Sequence, residues 1–179
     1  MTTFVLIHGW GGNHEGHWQH WLSDELIDAG HNVIYPTFSS ANTPILNEWL
    51  DELKHALKGV DPKDIVLLSH SLGNTLWLHY LRNNPDLKIK KGFLIAPPLT
   101  NQGIREIQNF FPQPWVNLSK EDYVLIGSDD DMYIKKEEFI ELSNNLNVPF
   151  HFIANAGHIH ISSGFGPWPW IKKECLKLV

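Results

Sequence analysis

The chain has 179 residues, 42% of them hydrophobic and 19% charged, with a formal net charge of −6. That length suits one domain, here taken as 1–179, with a sizeable core, and the apolar fraction argues against disorder. A mildly acidic chain has no basic field for phosphate backbones, and no apolar run approaches the roughly 18–20 residues of a membrane helix, so neither nucleic acid nor membrane insertion is expected.

Phe4–Ile7, the first strand candidate, has no Lys or Arg before it and is too short for a signal-peptide core. With a single cysteine, Cys175, an internal disulfide is impossible. Both features fit a cytoplasmic protein, with Cys175 as core filler. Further strand candidates are Asn32–Tyr35, Ile65–Ser69, Gly92–Ile95, Tyr123–Gly127 and Phe150–Ile153. Several are apolar throughout, as strands buried on both faces of a parallel sheet must be.

Helical patterns fill the intervals. Trp18, Trp21, Leu22 and Leu26 share one face. Leu46, Trp49, Leu50, Leu53 and Leu57 share another, with Thr43 expected as N-cap and Pro44 in the first turn. Leu72–Asn84, Tyr133–Leu146 and Pro167–Leu178 complete the set. Strands alternating with helices imply an α/β doubly wound sheet. The long segment Ala96–Asp122, with four prolines, breaks the rhythm. It is expected to carry a short helix near Ile104–Phe110 and to lie over the carboxyl end of the sheet, since long loops in compact domains are usually functional.

Ser69-His70-Ser71-Leu72-Gly73 leads from a buried strand into a helix. A sharp turn there lifts the Ser71 hydroxyl above the sheet edge, and the helix N-terminus faces developing negative charge. On such a fold the acid and the base follow in that order, each after a strand. Ser128-Asp129-Asp130-Asp131 and Gly157-His158 stand in those places. A glycine followed three residues later by the acid selects Asp130, with Asp129 and Asp131 as alternatives. His158 is the favoured base and His160 its competitor. His70 is expected beneath the turn and His8 to brace the His8-Gly-Trp-Gly-Gly12 loop. Backbone N–H groups of Trp10 and Leu72 could stabilise a tetrahedral oxyanion. That loop lacks a Walker lysine and a complete Gly-x-Gly-x-x-Gly, so nucleotide binding is disfavoured.

These motifs together resemble the α/β-hydrolase superfamily, and more narrowly the small serine hydrolases related to retinoblastoma-binding protein 9. The resemblance covers nearly the whole chain, with Ser69 in place of the usual first glycine of the elbow and Asp131 where relatives often carry proline. It implies a compact domain without a large lid, sheet order 2-1-3-4-5-6 with helices on both faces, and a Ser71–Asp130–His158 triad.

His14, His17 and His20 at i, i+3, i+6 fan over about 120° of a helix surface, too wide for one compact metal site. No metal or cofactor is therefore expected. Eight tryptophans are unusual at this length. Trp18, Trp21, Trp49 and Trp77 fit helix cores; Trp10, Trp115, Trp168 and Trp170, with Phe110 and Phe111, are candidates for a substrate pocket. The expectation is a serine hydrolase of small esters, thioesters or related acyl compounds working through an acyl-enzyme, with amidase action a variant. The alternative is a non-catalytic protein- or ligand-binding module on the same fold. No protein partner is indicated.

Overall fold

Strands that are apolar on both faces must be covered on both faces, and they are. A computed structural model describes residues 1–179. The strands are β1 (Thr3–Ile7), β2 (Asn32–Ile34), β3 (Ile65–His70), β4 (Lys91–Ile95), β5 (Tyr123–Ser128) and β6 (Phe150–Ile153). They form one sheet in the order β2-β1-β3-β4-β5-β6, every pair parallel. The helices are α1 (Trp18–Asp28), α2 (Leu46–Ala56), α3 (Leu72–Asn83), α4 (Lys136–Leu146) and α5 (Pro169–Leu176).

Alternate strand residues feed two cores. Val5, Ile7, Leu67, Leu94 and Leu125 pack with Trp49 and Leu53 of α2, Leu76 and Trp77 of α3, and Phe139 and Leu142 of α4. Phe4, Leu6, Val66, Leu68 and Ile95 pack with Trp18 and Leu22 of α1 and Ile171 and Cys175 of α5. Burial pushes the Cys175 thiol up to about 12, so it is an inert core group.

Connections diverge between β1 and β3, so the crevice beyond their carboxyl ends is the place where ligands bind in open α/β sheets. Ile7 pairs with Ser69 in register there, and the chain turns into α3 two residues later. Gly73 lets α3 sit directly on β1. A Cβ at that position would stand 2.7 Å from the carbonyl oxygens of Ile7 and His8. Backbone cannot step aside as a side chain can, so Gly73→Ala should cost about 1–3 kcal/mol. At roughly 2–4 °C per kcal/mol the loss is readable by thermal unfolding. An unchanged melting temperature would contradict this seating of the helix.

The expected cap of α2 is corrected. The helix starts at Leu46, not at Pro44, and neither Thr43 nor Ile45 caps it with a side chain. Asn109 does so from the long segment: its Oδ1 accepts from Leu46 N–H at 2.7 Å and its Nδ2 donates to the Pro44 carbonyl at 2.9 Å. Asn109 belongs to a 3₁₀ turn, Arg105–Phe110, within Ala96–Asp122. His79 of α3 donates from Nε2 to the Phe110 carbonyl at 2.9 Å. The segment is thus fastened to two helices.

Candidate active site

Ser71 stands between β3 and α3 with φ 51° and ψ −125°, a conformation that L-residues avoid. Its neighbours hold it there. Ser71 N–H donates to the Ile95 carbonyl at 3.0 Å. Asn74 Nδ2 donates to the carbonyls of Ser71 (3.0 Å) and Ile95 (2.8 Å), and Asn74 Oδ1 accepts from the Ser69 hydroxyl at 2.5 Å. Asn74 was not singled out in the sequence. The Ser that replaces glycine at the first motif position helps anchor it.

The Ser71 hydroxyl donates to His158 Nε2 at 2.8 Å. His158 Nδ1–H donates to Asp131, 2.9 Å from Oδ2 and 3.0 Å from Oδ1. The Asp131 side chain is 0% exposed and also accepts Tyr133 N–H at 2.8 Å. Tyr133 lays its ring edge-on against His158, with centroids 4.5 Å apart.

Asp130, the acid selected from the spacing, does not reach His158. Its Oδ1 accepts from the Ser128 hydroxyl (2.5 Å) and Gly157 N–H (2.7 Å), which together hold its carboxyl below the usual range. The reason for the shifted register is Gly127. It is not the loop glycine, because β5 runs on to Ser128. A Cβ on Gly127 would meet the Phe139 ring at 2.4 Å, so the glycine makes room for α4. Counting three residues from Ser128, where the strand ends, gives Asp131. The other members of the run brace the histidine loop: Asp129 accepts Asn155 N–H at 2.9 Å, and Ser128 Oγ accepts Ala156 N–H at 2.9 Å.

The loop after β1 presses on the nucleophile, where a Cβ on Gly9 would lie 2.8 Å from Ser71 Cβ. His8 fixes this loop, donating from Nδ1 to the Gly9 carbonyl (2.7 Å) and accepting Phe38 N–H at Nε2 (3.1 Å). The backbone N–H of Trp10 has no acceptor in the protein, while its indole N–H donates to the Asn42 carbonyl, and the backbone N–H of Leu72 opens α3, where no intrahelical acceptor exists. Both stand beside Ser71 in sequence or in space.

A cavity of about 280 Å³ opens at Ser71. The long segment does supply part of its wall, through Pro98, Thr100, Asn101, Ile104 and Ile107, with Trp10, Met132 and Tyr133 completing the apolar part. The aromatic candidates in that segment are corrected. Phe110 is 0% exposed and packs on Trp49 in the core. Phe111 faces a separate shallow depression with Pro112 and Leu99. Trp115 is 57% exposed and outside the cavity, and Trp168 packs edge-to-face against Trp18 in the α1–α5 core. Position in a loop near the sheet edge was the only sequence signal for these residues, and it does not say which way a ring turns.

His14, His17, His70 and His160 also line the cavity, a grouping that spacing alone does not reveal. His20 instead faces Asp24 on the surface at 3.4 Å. No group of three or more His, Cys, Asp or Glu side chains is arranged to hold a metal ion. His70 donates from Nε2 to the His158 carbonyl at 3.0 Å and so supports the base from below.

Burial brings His8 down to about 4 and, with the nearby His160, brings His17 down to about 3, from 6.5. In the unfolded chain both would take up protons near 6.5, so below that pH the unfolded state binds more protons than the folded one. Their contribution is complete above about pH 6.5 and is lost as the pH falls towards 4 and then 3. Melting temperature should therefore fall on acidification through this window. A flat profile from neutrality to about pH 4.5 would contradict neutral, buried imidazoles.

A strand-turn-helix nucleophile position, with an acid and a base on loops after later strands of a doubly wound parallel sheet, defines an α/β hydrolase. The serine hydrolase family model matches residues 4–176, and the chain belongs to that family. No curated protein sequence matches it. The crystal structure of the ydeN gene product from B. subtilis is similar, with TM-score 0.80 and 18% identity over 99% of this chain and 98% of that one. A putative YdeN-like hydrolase from Pectobacterium atrosepticum has TM-score 0.76 and 21% identity, covering 99% and 90%. Est1E from Butyrivibrio proteoclasticus, with ferulic acid bound, has TM-score 0.65 and 14% identity, covering 99% and 89%. At these identities the likeness is one of fold. No helix is long and apolar enough to cross a membrane.

Proposed function

We propose that residues 1–179 act as one carboxylesterase-like domain that hydrolyses small esters, or related thioesters, through an acyl-enzyme on Ser71. The observation that carries this reading is the unbroken relay from Ser71 Oγ through His158 to Asp131, at 2.8 and 2.9 Å, opening into a cavity. His158 Nε2 takes the Ser71 proton as Oγ attacks the carbonyl carbon. Asp131 holds the Nδ1–H tautomer and stabilises the imidazolium. The N–H groups of Trp10 and Leu72 receive the oxyanion. His158 then protonates the leaving oxygen, and a water that it activates releases the acid. No step needs a cofactor.

A cavity of about 280 Å³ lies at the small end of ligand sites, which favours short acyl groups. The test is labelling with a fluorophosphonate and mapping of the adduct by peptide mass spectrometry, beside a 4-nitrophenyl ester series. An adduct on Ser71 and a kcat/KM that peaks at short chains are expected. No adduct, with no turnover of any ester, would favour a binding module.

A further inference from the structure

The cavity has two unlike sides because it opens across the sheet edge. Leu72 and Ile107 belong to the core on the α3 side, and Ile104 packs against them. On the other side His17 lies against Trp18 of the α1 core, with ring centroids 5.5 Å apart. His160 lies 5.2 Å from His17, and His70 lies 4.9 Å from His17 and 5.1 Å from His158.

Local hydrogen bonds fix which ring nitrogens carry the protons on the lining residues His17 and His160. His17 caps α1, its Nδ1 accepting Gln19 N–H at 3.2 Å, so its ring proton is on Nε2. That Nε2–H is buried, in a residue only 4% exposed, and it has no acceptor. His160 is built alike: Nδ1 accepts Ser162 N–H at 3.3 Å, which leaves Nε2 as the N–H. Burial holds His17 at about 3, and burial with the nearby His158 lowers His160, so both are neutral donors in the empty site. The cavity lining contains no Asp, Glu, Lys or Arg. An anion entering it meets N–H groups and no competing carboxylate at its walls, and a buried donor without an acceptor is costly until a ligand supplies one.

We propose that His17 and His160 form a subsite for a carboxylate carried on the leaving half of the substrate. This rests on the esterase reading above. The leaving half is assigned by proton delivery: the oxygen that departs must lie at His158, and His70 links His158 to the pair. The substrate class is then a short-chain ester of a hydroxy acid, with the apolar side of the cavity taking the acyl chain.

The test compares 4-acetoxybenzoate with 4-acetoxybenzamide, which differ in charge and little in shape. kcat/KM should favour the carboxylate by roughly tenfold or more, the worth of one charge-assisted hydrogen bond. His17→Ser keeps an oxygen to cap Gln19 N–H on a side chain too short to replace the imidazole Nε2–H. It should bring the ratio close to one, with His160→Ser acting in the same direction and circular dichroism confirming the fold. A ratio near one in the wild type, or a preference unaltered in both variants, would overturn the subsite. Calorimetric titration of Ser71→Ala with 4-hydroxybenzoate and 4-hydroxybenzamide separates the two readings. Selective carboxylate binding without ester turnover by the wild type would sink the catalytic reading and keep the subsite. Turnover with no selectivity would do the reverse.

Discussion

Ser71→Ala should abolish fluorophosphonate labelling and lower kcat by about 10⁶, the scale of loss when a triad nucleophile is removed. The other hydroxyl of the motif cannot take its place. Ser69, two residues back, is fully buried, and its proton is committed to Asn74. The variant should fold, because Asn74, Ile95 and the backbone of residue 71 hold the turn without the hydroxyl. Labelling that persists in Ser71→Ala, at whatever residue, would remove the nucleophile assignment.

Asp131→Asn should lower kcat by about 10⁴, because an amide no longer enforces the Nδ1–H tautomer or stabilises the imidazolium. Asp130→Asn should cost far less, roughly tenfold, since that residue braces Gly157 and does not touch His158. Both variants are measured with the same short-chain ester. If Asp130→Asn proves the more damaging, the acid is Asp130 and the relay drawn through Asp131 is wrong.

The contrast between these neighbours shows where a sequence stops being legible. The sheet could be read because parallel strands with cover on both faces are apolar throughout, as Phe4–Ile7 and Ile65–Leu68 are. Ser71 could be read because it follows such a strand directly, and His158 because it stands beside Gly157 in the loop after the last strand. Asp131, the carboxylate that bonds His158, could not be told from Asp130, because Gly127 serves packing against Phe139, and a glycine looks the same in either role. The Asn109 cap lies 63 residues from Leu46, so no local pattern announces it. The histidine wall draws on α1, β3 and the loop after β6, and only the folded sheet brings these together.

His158 sits in the loop that follows an edge strand of the sheet. β6 is an edge strand, paired only with β5, and none of its four residues is fully buried. The bonds from Ser128, Asp129 and Asp130 to the backbone of residues 155–157 act as stitches that hold the loop in register with β5, while Ile159 just beyond is buried in the core and its carbonyl accepts from Trp18. Local opening in proteins begins where buried contacts are few. Opening of β6 together with this loop would carry His158 away from Ser71 while β1, β3 and β4 stayed intact. The Ser71–His158 contact and global folding would thereby be separable: a molecule could keep the core and the Ser71 turn while having lost the imidazole from it.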